Sequence, residues 1–203
     1  MSVRFFSTSS IKSGVKGSDF WDGSTTLGSF ESISTYTVSG SPVSSITFSS
    51  IPQTYKHLQM RFLVKNTLGN NDYSNVLMTI NGSSGNYRYY RIGNFYNSGG
   101  TQNNTANVNT YTYALANAAM PCSGGNLTNI FGTGVLEFPN YSASSTYKSM
   151  MGAFGFSSNS NPDINFFGGS TTPFSDAISS IVLIGDSDQF AVGSTISLYG
   201  LKE

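Results

Sequence analysis

A period of two dominates this chain and narrows its fold more than any other feature. The stretch "HLQMRFLVK" sends Leu58, Met60, Phe62 and Val64 to one side and His57, Gln59, Arg61, Leu63 and Lys65 to the other. That is the alternation of a half-buried β-strand, apolar inward and mostly polar outward. Similar short runs recur as "FESISTYTV", "VSSITF", "NVLMTI", "YRYYRI", "TYTYAL", "VLEF", "YKSMMGAFGF", "ISSIVLI" and "STISLYGL", divided by Gly, Asn, Ser and Pro clusters. No long segment keeps a helical period, and the strong helix formers are sparse. The expected fold is all-β, a jelly-roll-like β-sandwich of about eight to ten antiparallel strands. Asn81-Gly82 predicts a hairpin turn, and "GDSD" (Gly185 to Asp188) predicts the turn between the last two strands. Pro52 ends one strand before the next begins, and Gly132 and Gly134 in "GTGVLEF" suggest a bulge.

The first residues behave differently. "SSIKSGVKGSDFWDGSTTLGSF" interleaves Gly and Ser with isolated large residues and shows no sustained alternation. Residues 1–28 therefore read as an extended N-terminal arm and residues 29–203 as the sandwich domain. The arm holds the sole tryptophan, Trp21, beside Phe20 and between Asp19 and Asp22. An aromatic pair of that size is a docking anchor when exposed, so Phe20, Trp21 and Asp22 are candidate docking residues for a partner molecule. The alternative is that the arm folds back and caps its own sandwich. The polar stretch Asn94 to Asn109 reads as a long surface loop, either a contact loop or without fixed structure.

Charged residues make up 10% of the chain and sum to zero formal charge, against about 25% in an average soluble protein. No basic patch is present to neutralise phosphates, which argues against nucleic acid as a partner. Cys122 is the only cysteine, so no intrachain disulfide and no cysteine-based zinc site is expected. The N-terminus lacks a secretion signal and no segment is long and apolar enough to span a membrane, which points to synthesis in a cytoplasm.

Catalysis needs a constellation, and none is legible. His57 is the only histidine, and no nucleophile elbow, phosphate loop or zinc motif surrounds it. A glycosidase pair such as Glu137 with Asp163 is conceivable but unspecific. Asp186 and Asp188 offer two ligands for Ca²⁺, too few to outweigh their turn chemistry. No enzyme activity, cofactor or metal is expected. In "NYRYYRI", Tyr87, Tyr89 and Arg91 share one face and form a candidate subunit-interface strand or glycan platform.

Two stretches go beyond generic β. "SSITFSSIPQTYKHLQMRFLVKN" supplies Ile46, Phe48, Ile51, Pro52, Tyr55, Lys56, His57 and Leu58, and "ISSIVLIGDSDQFAVGSTISLYGLKE" supplies Phe190, Gly193, Ser194, Leu198, Tyr199, Gly200, Leu201 and Lys202. In these residues the chain resembles tailed-bacteriophage virion structural proteins over residues 29–203. The resemblance implies a non-enzymatic particle component, foremost a capsid decoration (cement) protein. It would bind the major capsid protein or other virion proteins on the outer capsid surface through its arm, as a trimer or dimer. The alternative is a tail-fibre or baseplate module that binds host-surface glycan.

Overall fold

The computed structural model describes residues 30–67, 74–83, 87–96, 102–104, 107–111, 115–120, 130–157, 162–171, 175–186 and 188–202, with backbone alone in 88–96, 102–104, 107–111, 115–120, 156–157 and 162–171. Among them the chain is all-β. The strands are β1 (Phe30–Thr37), β2 (Ser45–Phe48), β3 (His57–Val64), β4 (Ser74–Ile80), β5 (Tyr87–Tyr96), β6 (Gln102–Asn104), β7 (Asn107–Tyr111), β8 (Leu115–Met120), β9 (Gly132–Pro139), β10 (Met151–Ser157), β11 (Pro162–Thr171), β12 (Ile181–Gly185) and β13 (Thr195–Leu201).

They form two antiparallel sheets. The larger runs β1-β13-β3-β9-β10-β11-β5-β6, with β7 also on β5, and the smaller runs β2-β12-β4-β8. The chain changes sheet between β1 and β2, β2 and β3, β3 and β4, β4 and β5, β7 and β8, β8 and β9, β11 and β12, and β12 and β13. One apolar core lies between the sheets. Ile46, Phe48, Val76, Met78, Ile80, Ile181 and Leu183 come from the small sheet, and Leu58, Met60, Phe62, Val64, Leu136, Phe138, Ile196 and Leu198 from the large one. The alternation in β3 is followed to the letter: Leu58, Met60, Phe62 and Val64 are buried while Arg61 and Leu63 are exposed.

Several expectations need correction. Asn81 and Gly82 do form a tight reversal, with φ of 53° and 67° and the Ser83 amide donating to the Ile80 carbonyl at 2.9 Å. Both central residues are left-handed, as a type I′ turn demands. The strands it joins are not paired, however, because β4 belongs to the small sheet and β5 to the large one. The turn hands the chain across the core instead of closing a hairpin. Gly132 and Gly134 make no bulge, since β9 pairs with β3 and β10 without a register shift. Gly134 is required by packing: a Cβ there would lie 2.2 Å from the Phe154 ring, which stands edge-on to Phe62 at 5.4 Å. The stretch Asn94 to Asn109 is largely not a loop, because β5 runs on to Tyr96 and β6 and β7 both pair with it. Run "TYTYAL" is not one strand; β7 ends at Tyr111 and β8 starts at Leu115. Residues 1–28 lie outside the described residues.

Candidate interaction surface

The segments that carry the phage resemblance meet in space. β13 pairs with β3 so that Leu201, Gly200, Tyr199 and Leu198 stand opposite His57, Leu58, Gln59 and Met60. The Tyr55 ring lies flat over Gly200, where a Cβ would come within 2.3 Å of the ring. The Tyr55 hydroxyl donates to Glu31 Oε2 at 2.9 Å, and Lys202 Nζ pairs with Glu31 Oε1 at 2.5 Å. The ammonium also sits 5.7 Å from the Tyr55 ring centroid. The Lys202 and Tyr55 donors hold the Glu31 carboxyl below its ordinary pKa, and the Glu31 carboxylate raises both Lys202 and Tyr55. Electrostatically, this cluster ties β1 to the end of β13.

Other motif residues are equally structural. Phe190 is buried and bridges Val43 and Asn66. Gly193 adopts φ 91°, a left-handed conformation that an L side chain rarely takes. The Ser194 hydroxyl accepts from the Lys65 amide at 3.0 Å and donates to the Lys65 carbonyl at 3.2 Å. His57 points outward, and its Nδ1 accepts from the Asn140 amide at 3.0 Å. Its role is therefore to cap the turn after β9, not the turn preceding its own strand. The Tyr141 hydroxyl donates to the Pro52 carbonyl. The pattern thus encodes how loops dock on strand ends.

The outer face of the large sheet gathers exposed apolar and aromatic side chains. Outward positions on β3, β9, β10 and β13 carry Gln59, Arg61, Leu63, Val135, Glu137, Met151, Ala153 and Tyr199. The Arg61 guanidinium stands over the Phe30 and Tyr199 rings at 4.9 and 5.2 Å, and those rings contact each other at 4.7 Å. Arg61 Nε donates to Gln59 Oε1 at 2.9 Å, and Gln59 Nε2 to Glu137 Oε1 at 3.0 Å. Leu63 and Met151 are 47% and 57% exposed on the same face. Between them lies an open groove of about 430 Å³, lined by Arg61, Thr133, Val135, Ala153 and Gly155 together with Phe62, Gly134 and Phe154.

No family model, curated protein or solved structure matches this chain.

The candidate residues fall unevenly on this frame. Phe20, Trp21 and Asp22 lie outside the described residues. Tyr87 does not belong to an exposed platform: it is fully buried, and its hydroxyl accepts from the Ile80 amide at 3.2 Å and donates to the Ser83 carbonyl at 3.1 Å. Burial pushes its phenol pKa up. It braces the Asn81-Gly82 turn from inside. The side chains of Tyr89 and Arg91 lie outside the described residues. Asp186 Oδ2 accepts from Asn75 Nδ2 at 3.2 Å, whereas the Asp188 carboxylate accepts from the Thr67 amide at 3.2 Å and the Thr67 hydroxyl at 2.5 Å. The two aspartates of "GDSD" therefore hold the chain at Thr67, after β3, and at Asn75, at the start of β4. No group of three or more metal-ligating side chains occurs among the described residues. Glu137 stands opposite Met151 and Asp163 opposite Phe156 on β10. From strand geometry their backbones are about 19 Å apart, too far for their carboxyls to approach within the roughly 5–10 Å of a glycosidase pair. No helix long and apolar enough to cross a membrane is present among the described residues.

Sequence reasoning missed Lys148. It is 1% exposed, and its ammonium donates to the carbonyls of Ala143, Thr146 at 2.7 Å and Ser175 at 3.0 Å. Desolvation lowers its pKa, partly countered by Asp176. A lysine in "STYKSMM" carries no signal of burial, because the local carbonyls of Ala143 and Thr146 are closed over it by a third, Ser175, that is distant in sequence.

Proposed function

We propose that this chain is a non-enzymatic virion structural protein of a tailed bacteriophage, bound to the outer capsid as a decoration protein. The observation that carries the reading is the joining of the two resembling segments into one structural unit, with Tyr55 on Gly200 and Glu31 between Tyr55 and Lys202. A pattern shared for architectural reasons points to a shared architecture, and the residues here are spent on building it. The strand order supports a jelly-roll-like reading. The chain wraps repeatedly between the two sheets, and β10 and β11 run as a meander between β9 and β5. Low charge and an outer face that mixes apolar side chains with few charged ones suit burial against a shell.

In this reading the arm, with Phe20, Trp21 and Asp22, contacts the major capsid protein or another virion protein. Symmetry repeats each modest contact until dissociation becomes slow. A trimer or dimer about a capsid symmetry axis would supply that repetition. The glycan-binding alternative loses Tyr87 from its platform. The test is occupancy on purified heads: a Phe20→Ala, Trp21→Ala double variant of the full chain should fold normally and leave heads undecorated. Undiminished decoration by that variant, or a few copies confined to the tail, would defeat the proposal.

A further inference from the structure

We propose that, in the free protein, Phe20 and Trp21 seat in the groove on the outer face of their own large sheet, with Asp19 and Asp22 toward Arg61. The groove's volume, about 430 Å³, lies in the roughly 300–1,000 Å³ range of small-ligand pockets. On the outer face its apolar lining is Val135, Ala153 and the glycine backbone at Gly134 and Gly155, with Arg61 and Thr133 as the polar members. Exposed Leu63 and Met151 border the same face, so an aromatic pair placed there would cover apolar surface that water otherwise meets.

Three further observations select this occupant. The first is reach. Eight residues separate Trp21 from Phe30, so the two stand up to about 30 Å apart when the chain between them is extended. Phe30 lies at the edge of the sheet, in register with Leu201, His57 and Pro139 across β13, β3 and β9. From there, three strands across and four residues along β3 lead to the groove, about 20 Å away. The second is charge. The aromatic pair is flanked by Asp19 and Asp22, and the cation on this rim is Arg61, exposed and already stacked on Phe30. The third is the tether. A linker this short gives an effective concentration on the order of mM, which favours the chain's own groove over that of a second copy at ordinary protein concentrations. The inference stands apart from the capsid reading. If both hold, the pair leaves the groove when the arm engages the shell.

Because Trp21 is the only tryptophan, fluorescence of the full-length chain reports on this position alone. The wild type should emit at shorter wavelength than free tryptophan and resist acrylamide quenching, with no change on dilution. Ala153→Glu, which puts a bulky anion in the groove at an outward position, should shift the emission to longer wavelength and expose Trp21 to quencher. Arg61→Gln should do so in part, and it serves if circular dichroism shows Ala153→Glu to be unfolded. Solvent-like emission from the wild type overturns the proposal. So does shielding unaffected by Arg61→Gln and Ala153→Glu, which would place the pair elsewhere. Shielding lost on dilution overturns it in favour of a second copy. Head occupancy is a separate measurement, so failure here is distinguishable from failure of the capsid reading.

Discussion

Gly200 and Tyr55 show how tightly single positions are constrained. With the ring atoms 2.3 to 2.5 Å from where a Cβ would stand, Gly200→Ala must displace Tyr55 and loosen its hydrogen bond to Glu31. Overpacking of this kind costs about 1–3 kcal/mol, measurable as a lower urea midpoint at unchanged slope. Adding Tyr55→Ala should recover part of that loss, whereas in the wild-type background the same substitution should only destabilise. The Glu31 and Lys202 pair titrates in opposite senses. Glu31 is lowered in the fold, so its contribution is present above its unfolded value near 4.5 and disappears as pH falls through the folded value. Lys202 is raised, so its share is present below its unfolded value near 10.5 and disappears as pH rises through the folded value. Both side chains are partly exposed, where such pairs contribute little. Lys202→Met should therefore destabilise slightly at neutral pH and not at all in strong acid, as thermal melts across pH would show.

Lys148 differs in being buried. Replacing it with Met leaves the Ala143, Thr146 and Ser175 carbonyls without their donor, a loss of about 2–4 kcal/mol. Its pKa is lowered in the fold, so between the folded value and 10.5 the unfolded chain binds the proton and the folded one does not. Across that window its contribution to stability rises with pH. Subtracting the pH profile of Lys148→Met from that of the wild type should expose this rise; a flat difference would mean the ammonium is not desolvated.

At the level of elements, what could be read in advance depended on whether the signal was local. β3, β4, β12 and β13 carry their burial pattern in their own alternation, because each puts one face on the core. β6 and β7 consist of Gln, Asn, Thr, Val and Tyr, and their strand character comes from pairing with β5. Nothing in the composition of residues 102–109 distinguishes a paired margin of a sheet from a loop. Asn81-Gly82 was legible as a turn since left-handed φ has few candidates, but the partners on either side were not. Whether a turn closes a hairpin or crosses a core depends on strands that arrive about a hundred residues later, here β12 beside β4. Asn81 itself anchors that arrival. Its Nδ2 donates to the Ala177 carbonyl at 2.8 Å, and its Oδ1 accepts from the Ser179 and Ser180 amides at 2.9 and 3.1 Å. Tyr87 closes the turn from the core side. Tyr87→Phe keeps the ring but leaves the Ile80 amide without its hydroxyl partner, at a cost of about 1–3 kcal/mol. Chemical unfolding measures the cost, and hydrogen exchange should show the Ile80 amide among the first to lose protection.

For the whole molecule, the decisive feature is that the last two strands complete both sheets. β12 lies between β2 and β4, and β13 lies between β1 and β3. β1 and β2 therefore have no neighbour to pair with until residues far along the chain arrive, and both sheets stay open until the C-terminal strands insert. Loop-closure entropy must be met before those contacts return anything, which places folding on the slow side for a domain of this size, about ms to s. It also makes the fold all-or-none at its C-terminal end. Removing residues 195–203 would take away β13, leaving β1 unpaired, β3 with a bare edge, and Glu31 without Lys202. The core would lose Ile196 and Leu198, both fully buried, and water would reach Met60 and Phe62. A chain cut before Thr195 should consequently show no cooperative unfolding transition and should bind a hydrophobic dye. Removing residues 1–28 leaves every described strand intact and should leave the transition in place, apart from whatever the seated aromatic pair contributes. A cooperative melt from the C-terminal truncation would show that β3 and β9 can hold the large sheet without β13, and that closure by the final strand is not what makes this molecule one folding unit.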